Sequence, residues 1–167
     1  MTNKQLISKA IYDQTMIAWA AGLFEGEGSF CFNYGKPKAI QIASTDRDVL
    51  EKVVEVFGGS IYTLSRDKMK AHWKTEYVWK LRTSDTLDFF SKVEPFLGER
   101  RLERGKEYIK LFLEIKEKRE QRSQATLEKY AKIFELRSEG LTHRQISDRI
   151  GLDRSHISKI LRNGEST

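Results

Sequence analysis

Apolar positions along this chain fall into two rhythms, and the switches between them mark its elements. Residues 13–26 repeat every three to four positions and predict a helix. "GSFCFNYGKP" then alternates, with Phe30, Phe32 and Tyr34 on one face and Ser29, Cys31 and Asn33 on the other, as in a half-buried strand. "AIQIAST" predicts a second short strand. "TDRDVLEKVVEVFGG" predicts a helix with Asp46 as N-cap, Leu50, Val53, Val54 and Phe57 as its apolar stripe, and Gly58-Gly59 as its stop. "SIYTLSR" and "TEYVWKLRT" predict two more strands around a polar, basic loop. In the latter, Tyr77, Trp79 and Leu81 face one way and Lys80 and Arg82 the other. "SDTLDFFSKVEPFLGE" predicts a further helix whose continuity Pro95 weakens.

The order is therefore α-β-β-α-β-β-α, an α+β core. Two hairpins separated by a helix suggest one antiparallel four-stranded sheet, with helices on one face and a polar, partly basic surface on the other. From about Arg100 the text becomes charge-dense, with apolar residues (Tyr108, Ile109, Leu111, Phe112, Leu113, Ile115) only in its first half. This predicts a helix that leaves the core as a solvated connector. The tail reads as a separate all-α module. An apolar helix (Tyr130, Ile133, Phe134, Leu136) ends at Gly140, and Thr142 with Gln145 forms a capping box. Gly151 ends that second helix, and Asp153 starts a third with Ile157, Ile160 and Leu161 buried. The boundary is set at 1–122 and 123–167.

The helix over 16–26 has an unusual side. At 100° per residue, Ala18, Ala21, Gly22 and Glu25 share a face with Gly26 at its edge, while Met16, Trp19, Leu23 and Phe24 fall opposite. Bulky residues can face the core. Small residues at four-residue spacing let another helix backbone approach closely, for which a second copy of the same helix on a two-fold axis is one answer. Two such helices would bring two Glu27 carboxylates together, and like charges so close call for a cation between them. Hard divalent cations take oxygen ligands. The charge balance agrees with a polyanionic partner: the net charge is +6, with 32% charged residues, against 39% hydrophobic residues that suffice for a core. The single cysteine, Cys31, excludes an intramolecular disulfide and a Cys-based zinc site; it reads as a packed or groove-facing small residue. No run approaches a membrane span, so the chain reads as soluble, intracellular and cytoplasmic.

"AAGLFEGEG", Ala20 to Gly28, resembles the motif of the LAGLIDADG homing endonucleases, departing from it at Ala20, Phe24 and Gly26 and carrying Glu for both Asp. The element order and "VEPFLGERR" agree, over roughly residues 13–115. The resemblance implies a homodimer with the motif helices at the interface (Ala18, Ala21, Gly22, Glu25, Gly26). Glu27 becomes the Mg²⁺ ligand, and Glu25 a helix-end or interface residue. Double-stranded DNA lies on the sheet and both strands of a long, near-palindromic site are cut, in the service of a mobile intron. Basic residues that stabilise the charged transition state would then be Lys80 or Arg82 and Arg47. Asn33, Gln41, Tyr62 and Arg66, together with Lys80 and Arg82, are candidate DNA contacts, and His72 is a solvated loop residue. "GLTHRQISDRIGLDRSHISKIL" is similar to the helix-turn-helix of resolvases and many regulators. This implies a recognition helix over about 154–162, presenting Arg154, Ser155, His156 and Lys159 to the major groove and Arg162 to phosphate. Two other readings compete: a non-cleaving DNA-binding regulator and a maturase acting on intron RNA. A self-repelling acidic pair serves no pure binder, and side chains do not enter the deep major groove of A-form RNA.

Overall fold

The computed structural model describes residues 3–64 and 75–164, without the side chains of residues 3 and 4. Arg66 and His72 therefore lie outside the described residues. The elements run α1 (Asn3–Glu27), β1 (Gly28–Asn33), β2 (Lys36–Ser44), α2 (Arg47–Phe57), β3 (Ser60–Thr63), β4 (Tyr77–Lys80), α3 (Thr86–Val93), α4 (Glu99–Ser138), α5 (His143–Ile150) and α6 (Arg154–Gly164). This is the α+β core expected, with one antiparallel sheet in the order β1-β2-β4-β3. Among the described residues no helix is long and apolar enough to cross a membrane. The chain divides into two compact units, Met1–Leu113 and Glu114–Thr167, and the division falls inside α4.

In the first unit the sheet has two distinct faces. Cross-strand partners share a face, and the rows Gly28–Ile42–Trp79–Ile61 and Phe30–Ile40 form the inner one. Phe24 of α1 enters this face edge-on, its ring centroid 5.1 Å from Phe30 and 5.0 Å from Phe89. Trp79 is fully buried beside Phe57 and Phe89 and donates its indole N–H to the Gly58 carbonyl at 2.7 Å, tying β4 to the end of α2. The start of α4 closes the same core: Tyr108 packs on Phe30 and Phe32, and the Arg104 guanidinium lies 3.8 Å from the Phe32 ring centroid. Burial, with Cys31 nearby adding to it, pushes the Tyr108 hydroxyl up to about 12, so it stays protonated and acts as a core group.

Several sequence expectations are corrected. The first helix begins at Asn3 rather than near residue 13, because nothing in the intervening polar segment breaks it. Tyr34 is not on the inner face: with Gly35 it forms the two-residue hairpin turn, both at positive φ, and it is 96% exposed. Asp46 occupies the N-cap of α2, but its side chain makes no cap hydrogen bond; its own N–H donates to Ser44 Oγ at 3.0 Å. The helix expected over 84–99 is α3 flanked by two single 3-10 turns, the second containing Pro95. The connector and the first helix of the tail are one 40-residue helix, since no Gly or Pro interrupts residues 106–138. Phe134, expected in the core of the tail, is 38% exposed.

The second unit is built on Ile133, Leu136, Ile146, Ile157, Ile160 and Leu161. The Thr142–Gln145 capping box is formed, and Gly151 adopts the left-handed conformation (φ 70°, ψ 30°) that ends α5. The Ser147 hydroxyl donates to the Leu152 carbonyl at 2.6 Å and braces the turn. Asp153 receives the Ser155 N–H at 2.7 Å and the Ser155 hydroxyl at 2.6 Å. These bonds hold its carboxyl below the usual carboxylate range. The cap thus contributes stability above that range and loses it as pH falls through the lowered value.

Gly105 of α4 allows the close approach of that helix to the sheet: a Cβ there would meet Phe90 at 2.5 Å and Phe30 at 3.0 Å. Gly105→Ala should gain about 1 kcal/mol of helix propensity and lose about 1–3 kcal/mol to overpacking, so net destabilisation is expected. Urea unfolding followed by tryptophan fluorescence checks this, Trp19 and Trp79 both lying in the first unit; a gain of stability would contradict the packing described.

Candidate functional site

The motif stretch places its residues on three sides of α1. Ala20, Ala21 and Phe24 are fully buried in the core. Ala21 therefore does not lie on the open face to which helical spacing alone assigned it, and Trp19, 38% exposed, does not face the core. The core direction is set by Phe24, whose ring must nest between Phe30 and Phe89, and this turns the helix relative to the simple bulky-against-small division. Gly22 and Gly26 are exposed, and nothing lies within 4 Å of where their Cβ atoms would stand. Ala18 is half-buried beside them in the helical repeat. The small-residue face survives as Ala18, Gly22 and Gly26.

The two glutamates have different environments. Glu25 accepts a hydrogen bond from the Gly98 N–H at 3.2 Å and lies 3.4 Å from Arg101 Nε. It is a structural strut between the end of α1 and the start of α4. Glu27, the last residue of α1, is exposed and makes no hydrogen bond or ion pair among the described residues. Its carboxylate is the one in the motif without a partner among the described residues. Gly28 follows it directly as the first residue of β1, so the helix gives way to the strand with no loop between.

The outer face of the sheet carries a polar row, Ser29–Gln41–Lys80–Ser60, crossing all four strands. Beside it run Ala43, Val78 and Tyr62. Lys80 is exposed, with its ammonium 5.4 Å from the Tyr62 ring centroid. Asn33 is exposed at the hairpin end of β1, and Lys36 and Lys38 of β2 are exposed as well. Strand spacing of about 5 Å sets the Lys80 backbone about 10 Å from that of Ser29, two residues after Glu27.

Arg82 and Arg47 do not join this row. Arg82 Nε pairs with Asp85 Oδ2 at 3.1 Å and its guanidinium lies beside Gly58, two residues beyond Lys80 and leading away from Glu27. Arg47 Nε pairs with Glu51 Oε1 at 2.9 Å, and its guanidinium stands over Tyr77 at the opposite end of β4. Tyr77 and Arg82 are separated by about 16 Å of extended chain, so these two arginines do not converge. Both pairings are local, at i,i+4 and i,i+3, and were legible as spacings in the sequence. Exposed pairs of this kind contribute only about 0–1 kcal/mol and yield readily to a phosphate.

In the second unit Arg154, Ser155, His156 and Lys159 are all exposed on α6, Ser155 with its hydroxyl donated to Asp153. Ser155, His156 and Lys159 line a groove of about 620 Å³ together with Tyr130 and Phe134 of α4. α5 ends at the left-handed Gly151 and α6 follows from Arg154, with the basic residues on the exposed side of this second helix.

The model of the LAGLIDADG-like domain matches residues 14–117. The chain belongs to this family. No curated protein matches it. Two solved structures of the homing endonuclease I-CvuI are similar at 16% identity. One, in complex with the I-CreI target in 2 mM Mg, has a TM-score of 0.42 and covers 57% of this chain; this chain spans 64% of that protein's length. The other, in complex with its own target in 2 mM Ca, has a TM-score of 0.45 and covers 92% of this chain and 96% of that one. The matched family segment contains α1 from Gln14 onward, the whole described sheet and the first turns of α4, so it takes in Glu27, the polar row and Arg101.

Sequence reasoning missed Arg101. It stood in the quoted "VEPFLGERR" without a role, because nothing in local spacing links it to a helix-to-strand junction 73 to 77 positions earlier. The two glutamates give a direct test of this arrangement. Glu27→Gln should change stability by less than about 0.5 kcal/mol. Glu25→Gln should cost about 1 kcal/mol or more, by weakening charge-assisted bonds at the α1–α4 junction. Urea unfolding of the two variants checks the difference; equal costs would contradict it.

Proposed function

We propose that this LAGLIDADG-family chain is a site-specific, metal-dependent homing endonuclease that cuts double-stranded DNA as a homodimer. The observation that carries the reading is Glu27: an exposed carboxylate with no partner among the described residues, at the end of the motif helix and the edge of a polar, basic sheet face. Among the described residues no three of His, Cys, Asp and Glu gather as a possible metal cluster. The donor chemistry nevertheless fits a hard divalent cation such as Mg²⁺, which takes one or two carboxylates and completes its shell with water and substrate phosphate. Glu27 is the residue that would hold it. When bound, such a cation neutralises phosphate charge and supplies a reactive hydroxide near neutral pH.

The chain's own residues then have separate tasks. Ala18, Gly22 and Gly26 leave room for the same helix of a second copy, and a two-fold contact there brings two Glu27 carboxylates to one scissile region. The outer sheet face lies along DNA, with Lys80 against phosphate and Gln41, Asn33 and Tyr62 toward base edges. Arg47 and Arg82 exchange Glu51 and Asp85 for phosphate when DNA is present, which makes them backbone contacts more than transition-state groups. The second unit adds major-groove contacts from Arg154, Ser155, His156 and Lys159, raising affinity through tethering.

A second reading is a DNA-binding regulator that does not cut. The pairing of Arg82 with Asp85, on the side of β4 that leads away from Glu27, favours it, since Lys80 is then the cation of the polar row. One experiment separates the two. The protein is incubated with the DNA flanking its own gene, rejoined without the gene, in Mg²⁺ or in EDTA, beside Glu27→Gln. The nuclease reading expects cutting of both strands that needs Mg²⁺ and falls at least about 100-fold in the variant. Tight, salt-sensitive binding without cutting, unchanged in the variant, overturns it in favour of the regulator.

A further inference from the structure

We propose that Arg101 is a positioning residue that fixes the direction of the Glu27 carboxylate by clamping the helix-to-strand junction from outside it. The proposal rests on the reading of Glu27 as the ligand-holding carboxylate. Arg101 comes from the first turn of α4, yet every side-chain interaction it makes among the described residues is with the residues around Glu27. Its Nη1 donates to the Gly28 carbonyl. Its Nε lies 3.4 Å from Glu25 Oε2. Its guanidinium carbon stands 5.6 Å from the Phe24 ring centroid. These contacts are at positions −3, −2 and +1 relative to Glu27, so one planar group grips the backbone and side chains on both sides of a residue that it does not itself touch.

The junction needs such a grip. At the end of a helix the last carbonyls lack intrahelical partners, and here no loop residue takes up the change of direction. Phe24 and Gly28 are anchored in the core and the sheet, but the peptide that carries Glu27 is exposed. Arg101 is well placed to restrain it because its side chain is only 15% exposed. Its Nε is buried without a hydrogen-bond partner among the described residues, close to Glu25 but not aligned to donate to it. A buried donor left unmade is unfavourable, and such groups in a folded protein ask for a reason. The reason here is that the guanidinium is oriented for the Gly28 carbonyl and the Phe24 face at the expense of a better bond to Glu25. The Gly98 N–H, one turn before Arg101, supplies that bond to Glu25 instead, at 3.2 Å. Lysine could keep the charge but could not reach carbonyl, carboxylate and ring together, because the planar fork is what spans them.

The test uses Arg101→Lys, with Arg101→Met as a second variant, in the full-length chain. Three quantities are read: amide hydrogen exchange at Gly28 and Ser29, DNA affinity in EDTA, and the single-turnover cleavage rate in Mg²⁺. The proposal expects exchange at the junction to rise at least about tenfold while core amides at Val53 and Phe89 keep their protection. Cleavage should fall about 100-fold, as small misplacements of reacting groups do, with DNA affinity in EDTA unchanged and the lysine variant no better than half restored. Unchanged junction exchange overturns the proposal. So does a loss of DNA affinity matching the loss of cleavage, which would mark a general folding defect. If the unmutated protein binds but does not cut, the nuclease reading fails on its own, and the exchange measurement still decides whether Arg101 holds the junction.

Discussion

The structure turns on the contact between Phe24 and Gly28. A side chain at position 28 would collide with the Phe24 ring, so only glycine lets the last turn of α1 lie against the first residue of β1. That contact has three consequences. It seats Phe24 between Phe30 and Phe89, which orients α1 on the sheet. It makes the helix end and the strand begin at adjacent residues. It leaves Glu27, the residue between the two anchors, facing outward. The carboxylate is therefore presented by the way the core packs, and its direction is set by groups on either side.

Around this junction the remaining parts divide by face. The inner sheet face, α2, α3 and the start of α4 form an aromatic core in which Trp79, Phe57 and Phe89 lock β4 to the helices. Polar groups are thereby sorted to the outer face, where cross-strand pairing lines up Ser29, Gln41, Lys80 and Ser60. A row of polar side chains about 5 Å apart on a rigid sheet suits a polymer with repeating charge. The open side of α1, lacking side chains at Gly22 and Gly26, suits a second backbone. These features fit the family membership that residues 14–117 establish.

Much of this was legible in the sequence, for identifiable reasons. Period-two alternation gave the strands, because one sheet face is buried and the other is not. The Thr142–Gln145 box and Gly151 gave the second unit, because capping chemistry is local. The face of α1 was misread where local reasoning stops: Ala21 and Trp19 exchange environments because the helix is turned by Phe24's partners, which come from β1 and α3. The resemblance implied Arg47 and Arg82 as groups around the charged transition state, although Glu51 and Asp85 stand four and three positions after them in the sequence. Arg101 was out of reach altogether, since its contacts are with residues 73 to 77 positions away.

The central claim is that one chain supplies one carboxylate and that two are needed together. Mixing unmutated chains with Glu27→Gln chains, co-expressed so that they assort freely, tests it most directly. If double-strand cutting needs two intact Glu27 residues in one assembly, activity at an equal mixture falls to about one quarter, the fraction of dimers with both. Activity falling only to about one half would mean that each chain works alone, and would contradict the account.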